Sequence, residues 1–132
     1  DSRAVQGQLV NVVDIQATAF AFAALLEDGS VVAWGHSECG GDISAVQNQL
    51  VNVQQIHANE LAFASILSDG SVVAWGATKN GGDSSAVQRQ LVNVKQIQST
   101  ALAFAAVRQD GSVVTWGGPY SGGASIAVQQ QL

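Results

Sequence analysis

The chain is poor in charge, has a single cysteine and lacks any long apolar run, and each shortage excludes a class of protein. Asp, Glu, Lys and Arg make up 11% of the 132 residues, against roughly 25% in an ordinary soluble domain. So neutral a surface suits burial within a larger assembly better than free diffusion. The five Lys and Arg residues are scattered singly, and the formal net charge is −5. Nucleic acid or an anionic membrane would call for a basic patch, so neither is expected as a partner. Cys39 alone permits no internal disulfide and no cysteine-based metal site. No stretch approaches the roughly 18 consecutive apolar residues of a membrane span, so no direct span is expected. Nothing N-terminal has the pattern of a signal or transit peptide. With the lone cysteine, this favours an intracellular location, organelles included.

What the chain does have is repetition. Asp28-Gly29-Ser30-Val31-Val32-Ala33-Trp34-Gly35 returns at Asp69–Gly76 and again, with Thr115 for alanine, at Asp110–Gly117. The glycines at 29, 70 and 111 are spaced 41 apart. A second block keeps that register: Ala4-Val5-Gln6, Ala45-Val46-Gln47, Ala86-Val87-Gln88 and Ala127-Val128-Gln129. Periods of this size signal propellers, solenoids or arrays, in which one unit cannot bury its apolar face alone. The units run 4–44, 45–85 and 86–126, and 127–132 starts a fourth, so the chain reads as one array cut from a longer one.

Within the middle unit, Val51, Val53 and Ile56 alternate imperfectly with polar residues, closer to a strand than to a helix. Leu61 to Leu67 is a nearly apolar run, too short for a typical helix and suited to a buried strand. Ser68-Asp69-Gly70-Ser71 is a turn, with Gly taking positive φ and Asp bonding its own backbone, and Val72 to Trp75 is the return strand. Ala86-Val87-Gln88-Arg89-Gln90-Leu91 has two readings. Val87 and Leu91, four apart behind Ser85, suit a single capped helical turn; alternatively, Ala86 to Gln88 is an edge strand completing a four-stranded blade. The strand is preferred.

Candidate chemistry is thin. Asp28, Asp69 and Asp110 each stand alone in a hairpin turn, so turn chemistry explains them better than catalysis or calcium. Asp42 and Asp83 recur beside glycine pairs, but Ala124 replaces them in the third copy, which favours loop capping over a calcium site. His36 and His57 occupy different repeat positions, giving neither a repeated metal site nor a relay. Cys39, in a polar loop beside Gly40, reads as a weakly reactive surface thiol. The glycine pairs at 40–41, 81–82 and 122–123 have no Lys-Ser or Lys-Thr after them and are turn glycines rather than phosphate loops. No catalytic residue, cofactor or metal is expected.

Asp-Gly-Ser-Val-Val-Ala-Trp-Gly at 69–76, Ala-Val-Gln-Asn-Gln-Leu at 45–50 and Val-Gln-Gln-Ile at 53–56 resemble the regulator-of-chromosome-condensation repeat family. That family's blades build β-propellers. The wording Gly-Gly-Asp-x-Ser-Ala-Val-Gln is also similar to expanded arrays in dinoflagellate algal proteins. The family's Gly-Gly-x-His-Ser before the hairpin is replaced by Asn59-Glu60-Leu61-Ala62-Phe63, and the blade is shorter than usual. Trp34, Trp75 and Trp116 could form a light-sensing cluster as in the plant UV-B photoreceptor of this family, but its Gly-Trp-Arg-His-Thr motif is missing. Packing between blades is the plainer role.

The expected fold is all-β: three consecutive 41-residue propeller-type blades of antiparallel sheet, as an open array or part of a larger propeller. The expected function is a non-catalytic protein–protein interaction or scaffold module. The loops differ most between copies and are the expected partner contacts: His36, Ser37 and Glu38; Ala77, Thr78, Lys79 and Asn80; Pro119, Tyr120 and Ser121. The resemblance also implies a regulatory propeller of the nucleotide-exchange or ubiquitin-ligase-associated type. The algal wording suggests an accessory subunit of an organellar, photosynthetic complex. Self-association through open array ends is a further expectation.

Overall fold

The computed structural model describes residues 6–118. The start of the fourth unit at 127–132 and the loop residues Pro119, Tyr120 and Ser121 lie outside the described residues. The rest forms three antiparallel three-stranded sheets, one after another. The first holds β1 (Val12–Ala17), β2 (Ala21–Leu26) and β3 (Val31–Gly35). The second holds β4 (Val53–Ala58), β5 (Ala62–Leu67) and β6 (Val72–Gly76). The third holds β7 (Val94–Ser99), β8 (Ala103–Arg108) and β9 (Val113–Gly117). These are the expected propeller-type blades, and the central strand of each is the apolar run.

The imperfect alternation of the first strand has a local cause. In the β4–β5 pair, Val53 faces Leu67 while Gln55 faces Ile66, so a bulge inserts one residue between them. A bulge shifts the period by one, which brings Val53 and Ile56, three apart, to one buried face (5% and 2% exposed). The same irregularity stands in blades 1 and 3. Asn52, just before it, takes φ 55°, as do Asn11 and Asn93; asparagine tolerates this left-handed region better than most side chains.

The hairpin turn is built as its sequence suggests. Gly70 N–H donates to Leu67 C=O and Leu67 N–H to Ser71 C=O, both at 2.9 Å, with Gly70 at φ 83°. This is the three-residue loop that ends in a left-handed residue. Asp69 Oδ1 accepts from the Ser71 N–H at 3.0 Å and the Ser71 hydroxyl at 2.6 Å. Those bonds, the hydroxyl's first, hold the Asp69 carboxyl below its ordinary value, and Asp28 and Asp110 are lowered in the same way.

The fourth segment corrects the preferred strand reading: it is a single 3-10 turn, at Gln47–Gln49 and again at Gln88–Gln90. Val87 before it has φ −122° and ψ 7°, not extended backbone, and no side chain caps the turn. The turn carries Leu50 and Leu91 into the core, at 4% and 0% exposure, whereas an extended segment would advance past that position. In place of a fourth strand, Gln88 Nε2 donates to the Val72 carbonyl of edge strand β6 at 2.9 Å, and Ser84 Oγ donates to Gln88 Oε1 at 2.6 Å. A side-chain amide thus covers a position on the sheet edge.

Each sheet has two unlike faces because successive side chains alternate. Ala62, Ala64, Ile66 and Val72 form a small-residue face, packed against Leu91, Val94, Ile97, Phe104 and Trp116 of blade 3. Leu50, Val53, Ile56, Phe63, Val73 and Trp75 form a bulky face, packed against Ala21, Ala23, Leu25 and Val31 of blade 1. The core is therefore two layers between blades rather than one centre.

Backbone bonds pin the junctions. Val53 N–H donates to Gly29 C=O and Val94 N–H to Gly70 C=O, each at 2.9 Å, and Ala19 N–H donates to Glu60 C=O at 2.7 Å. A Cβ at Gly70 would lie 3.0 Å from Asn93 Cα, whereas one at Gly111 meets nothing within 4 Å. Two outcomes follow for denaturant unfolding. Trp75→Ala should cost about 3–5 kcal/mol, as large aromatic truncations in cores do; a loss under about 1 kcal/mol would mean the ring is not a junction residue. Gly70→Ala and Gly111→Ala share the strain of positive φ, roughly 1–2 kcal/mol, but Gly70→Ala should lose about 1 kcal/mol more through crowding of Asn93. Equal losses would contradict the junction geometry.

Candidate interaction surface

The loop after the third strand is where the copies diverge, and in blades 1 and 2 its backbone frame is the same. His36 and Ala77 are extended (φ −66° and −63°), the 3-10 turns Ser37–Cys39 and Thr78–Asn80 follow, and Gly40 and Gly81 close them in left-handed conformation (φ 104° and 97°). Gly41 N–H bonds His36 C=O, and Gly82 N–H bonds Ala77 C=O, at 2.9 Å each. With the frame identical, the side chains on it are free to differ.

Of the residues expected to make contacts, His36, Ser37, Glu38, Thr78 and Lys79 are exposed and Ala77 is half-buried. Glu38 and Lys79 occupy the same repeat position, so adjacent blades present opposite charges at one place. His36 Nδ1 accepts from the Glu38 N–H at 3.2 Å, and its ring leans on Phe20 at 6.4 Å. The loops follow one another along the array: a Cβ on Gly118 would lie 3.6 Å from the Lys79 carbonyl oxygen.

Asn80 differs from its neighbours. It is 5% exposed, its Nδ2 donates to Ala101 C=O at 3.3 Å, and its own carbonyl accepts from Asn59 Nδ2 at 2.5 Å. Its side chain serves the junction. Cys39, at the same repeat position, corrects the reading of a surface thiol. It is 8% exposed and belongs to the core between blades 1 and 2, its carbonyl accepting from Thr18 Oγ1 at 3.0 Å. The polar neighbours in sequence misled because the turn points every third residue inward.

Trp75 and Trp116 are junction residues. Trp75 Nε1 donates to Gly40 C=O at 3.1 Å and Trp116 Nε1 to Gly81 C=O at 3.0 Å. Phe63 stacks on Trp75 at 5.2 Å, and Phe104 lies tilted against Trp116 at 5.3 Å. Sequence reading passed over these phenylalanines, although Phe22, Phe63 and Phe104 recur with the same spacing of 41.

Asp42, Asp83 and His57 have partners close by in sequence. Asp42 Oδ1 and Asp83 Oδ1 accept from the N–H of Ser44 and Ser85 at 2.9 Å, and bonds from those serines lower both carboxyls. His57 is lowered by burial, with Asp14 opposing the shift, and its ring contacts Gln55 Oε1 at 2.9 Å. Among the described residues, no three His, Cys, Asp or Glu side chains are grouped to hold a metal ion. No helix among them is long and apolar enough to cross a membrane.

Residues 12–40, from β1 to the closing glycine of the first loop, match the Regulator of chromosome condensation (RCC1) repeat. A comparison with curated proteins returned no significant match. Among solved structures, Prp20p from Saccharomyces cerevisiae is similar, with a TM-score of 0.64 and 23% identity over 87% of this chain and 33% of that one. Yeast RCC1 (Prp20) bound by Kap60 gives a TM-score of 0.61 and 24% identity over 80% of this chain and 29% of that one. The CRINKLY WD40 ectodomain of the Arabidopsis thaliana receptor kinase ACR4 gives 0.56 and 20% over 80% and 38%. The chain thus spans about a third of the length of these structures, and at such identities the likeness is one of fold. Residues 12–40 thus match an RCC1 repeat, and the fold of the described chain is that of consecutive β-propeller blades.

Proposed function

We propose that this array is a non-catalytic protein-interaction module, a scaffold whose blades present the loops at 36–38 and 77–79 to a protein partner within a larger assembly. One observation carries the reading. Two adjacent blades share their backbone frame to within a few degrees at the closing glycines (φ 104° and 97°), yet their exposed loop side chains are His-Ser-Glu in one and Ala-Thr-Lys in the other. A fixed frame with variable tips is how repeat proteins divide stability from recognition.

The low overall charge supports a largely neutral contact with Glu38 and Lys79 setting its orientation, since paired charges steer more than they strengthen. The fold-level likeness to Prp20p, whose binding to Gsp1p and histones has been characterised, supports a protein as the ligand class. It does not name the ligand, because fold alone does not assign function.

The test is affinity capture from native extract with the 132-residue chain, quantified by mass spectrometry, beside two variants. In one, Glu38→Lys reverses the first loop; in the other, Lys79→Glu reverses the second. The reading expects at least one protein to be retained by the wild-type chain and depleted about tenfold by one of the reversals, the range of a rim or hot-spot charge. Capture indifferent to both reversals would overturn the assignment of these loops.

A further inference from the structure

The residue inserted by each first-strand bulge is exposed and differs from copy to copy: Val13, Gln54 and Lys95. Beside it the valines at 12, 53 and 94 and the isoleucines at 15, 56 and 97 are constant. The residue before each Asp-Gly turn varies likewise, as Glu27, Ser68 and Gln109. Bulges re-aim side chains and are frequent next to functional sites. Between blades 2 and 3 the two variable positions meet. Gln54 and Asp69 of blade 2 and Asn93, Lys95 and Gln109 of blade 3 line a cleft of about 280 Å³. Backbone bonds pin its walls: Val94 N–H donates to Gly70 C=O at 2.9 Å, and Gln109 N–H to Asn93 C=O at 2.7 Å.

We propose that this cleft binds a short extended peptide segment, its main chain held by side-chain amides and its charged side chains placed by Lys95 and Asp69. Among the described residues, the side chains of Gln54, Asn93, Lys95 and Gln109 make no hydrogen bond or ion pair. Asp69 uses Oδ1 for Ser71, which leaves Oδ2 for a ligand. A carboxamide offers both an acceptor and donors, matching the N–H and C=O of a peptide unit. Three of them in one cleft suit a main chain, whose bonds give affinity while side chains give specificity. Lys95 and Asp69 stand on different blades and are not bonded to each other, so each can take an opposite charge. A nucleobase would look for an aromatic stacking partner, and no aromatic ring lines the cleft among the described residues. A phosphate would call for a helix N-terminus or converging cations, and Lys95 is the one cation among the described lining residues. The equivalent place between blades 1 and 2 has the same frame, with Val53 N–H on Gly29 C=O at 2.9 Å and Asn52 at φ 55°. It carries Val13, Gln54 and Ser68 where the cleft has Gln54, Lys95 and Gln109. The ammonium is missing there, so the site belongs to the junction of blades 2 and 3.

The cleft lies at the end of the strands away from the loops at 36–38 and 77–79. The test is an NMR titration of the 132-residue chain with a capped pentapeptide holding Glu and Lys two residues apart, beside the same peptide with Gln for Glu. The side-chain amide signals of Gln54, Asn93 and Gln109 should shift and saturate. Those of Gln47 and Asn48, in a 3-10 turn outside the cleft, should stay in place. Lys95→Gln should weaken binding of the Glu peptide about fivefold, the scale of one exposed ion pair, and leave the Gln peptide unaffected. Gln109→Ser should weaken both. Each variant places in blade 3 the residue that blade 2 has at that position, Gln54 or Ser68, and thermal melts followed by circular dichroism check folding. Absence of saturable shifts at the three cleft amides would overturn the inference. So would shifts equally large at Gln47 and Asn48, or an affinity for the Glu peptide that Lys95→Gln leaves unchanged. Glu38→Lys and Lys79→Glu should not alter this titration, so failure of the loop assignment and failure of this one are read separately.

Discussion

Blades 1 and 2 each end on a left-handed glycine whose carbonyl the next blade's tryptophan takes up. The phenylalanine stacked on that tryptophan lies so close to the glycine that a Cβ at Gly40 would fall 2.4 Å from the Phe63 ring. Only glycine meets both demands, positive φ and the approach of an aromatic ring. The indole, buried at 4% exposure in Trp75, has its one donor satisfied by this bond, which removes the cost of an unpaired buried N–H. The loop frame and the register between blades both depend on this seat.

From it follows the two-faced character of the blade. A bulky face needs a small-residue face opposite, so alanines at 21, 23, 62 and 64 are not filler but the space the rings occupy. Such a junction has a direction, and repetition copies it along the chain. Stability is then a sum over neighbouring junctions rather than the property of one core. The same separation leaves the exposed loop tips at Ser37–Glu38 and Thr78–Lys79 open to change without disturbing the seat beneath them.

What could be read from sequence was what repetition amplifies. The Asp-Gly-Ser turns, the apolar central strand and the recurring tryptophan each occur three times in register, and local chemistry dictates their form. The parts that escaped were those where tertiary contacts outweigh local pattern. The segment from Ala86 to Leu91 allows a strand or a turn, and sequence favours the strand; the turn prevails by burying Leu91 and by Gln88 reaching the Val72 carbonyl, a contact 16 residues away. Cys39 sits among polar neighbours, and nothing nearby in sequence announces that the next blade covers it. Its counterpart Asn80 was equally opaque, although the shared repeat position was a usable signal. The spacing of Val53 and Ile56 was visible but needed the bulge to become intelligible.

The central claim, that the indole-to-glycine seat joins the blades, is tested most directly by hydrogen exchange at the three tryptophan side chains. In dilute solution, the Nε1–H protons of Trp75 and Trp116 should exchange slowly, because each is bonded to the preceding blade and buried. The Nε1–H of Trp34, which is half-buried and makes no such bond among the described residues, should exchange faster. Exchange at Trp75 and Trp116 as fast as at Trp34 would contradict the account, since the blades would then stand side by side without the bond that is said to hold them.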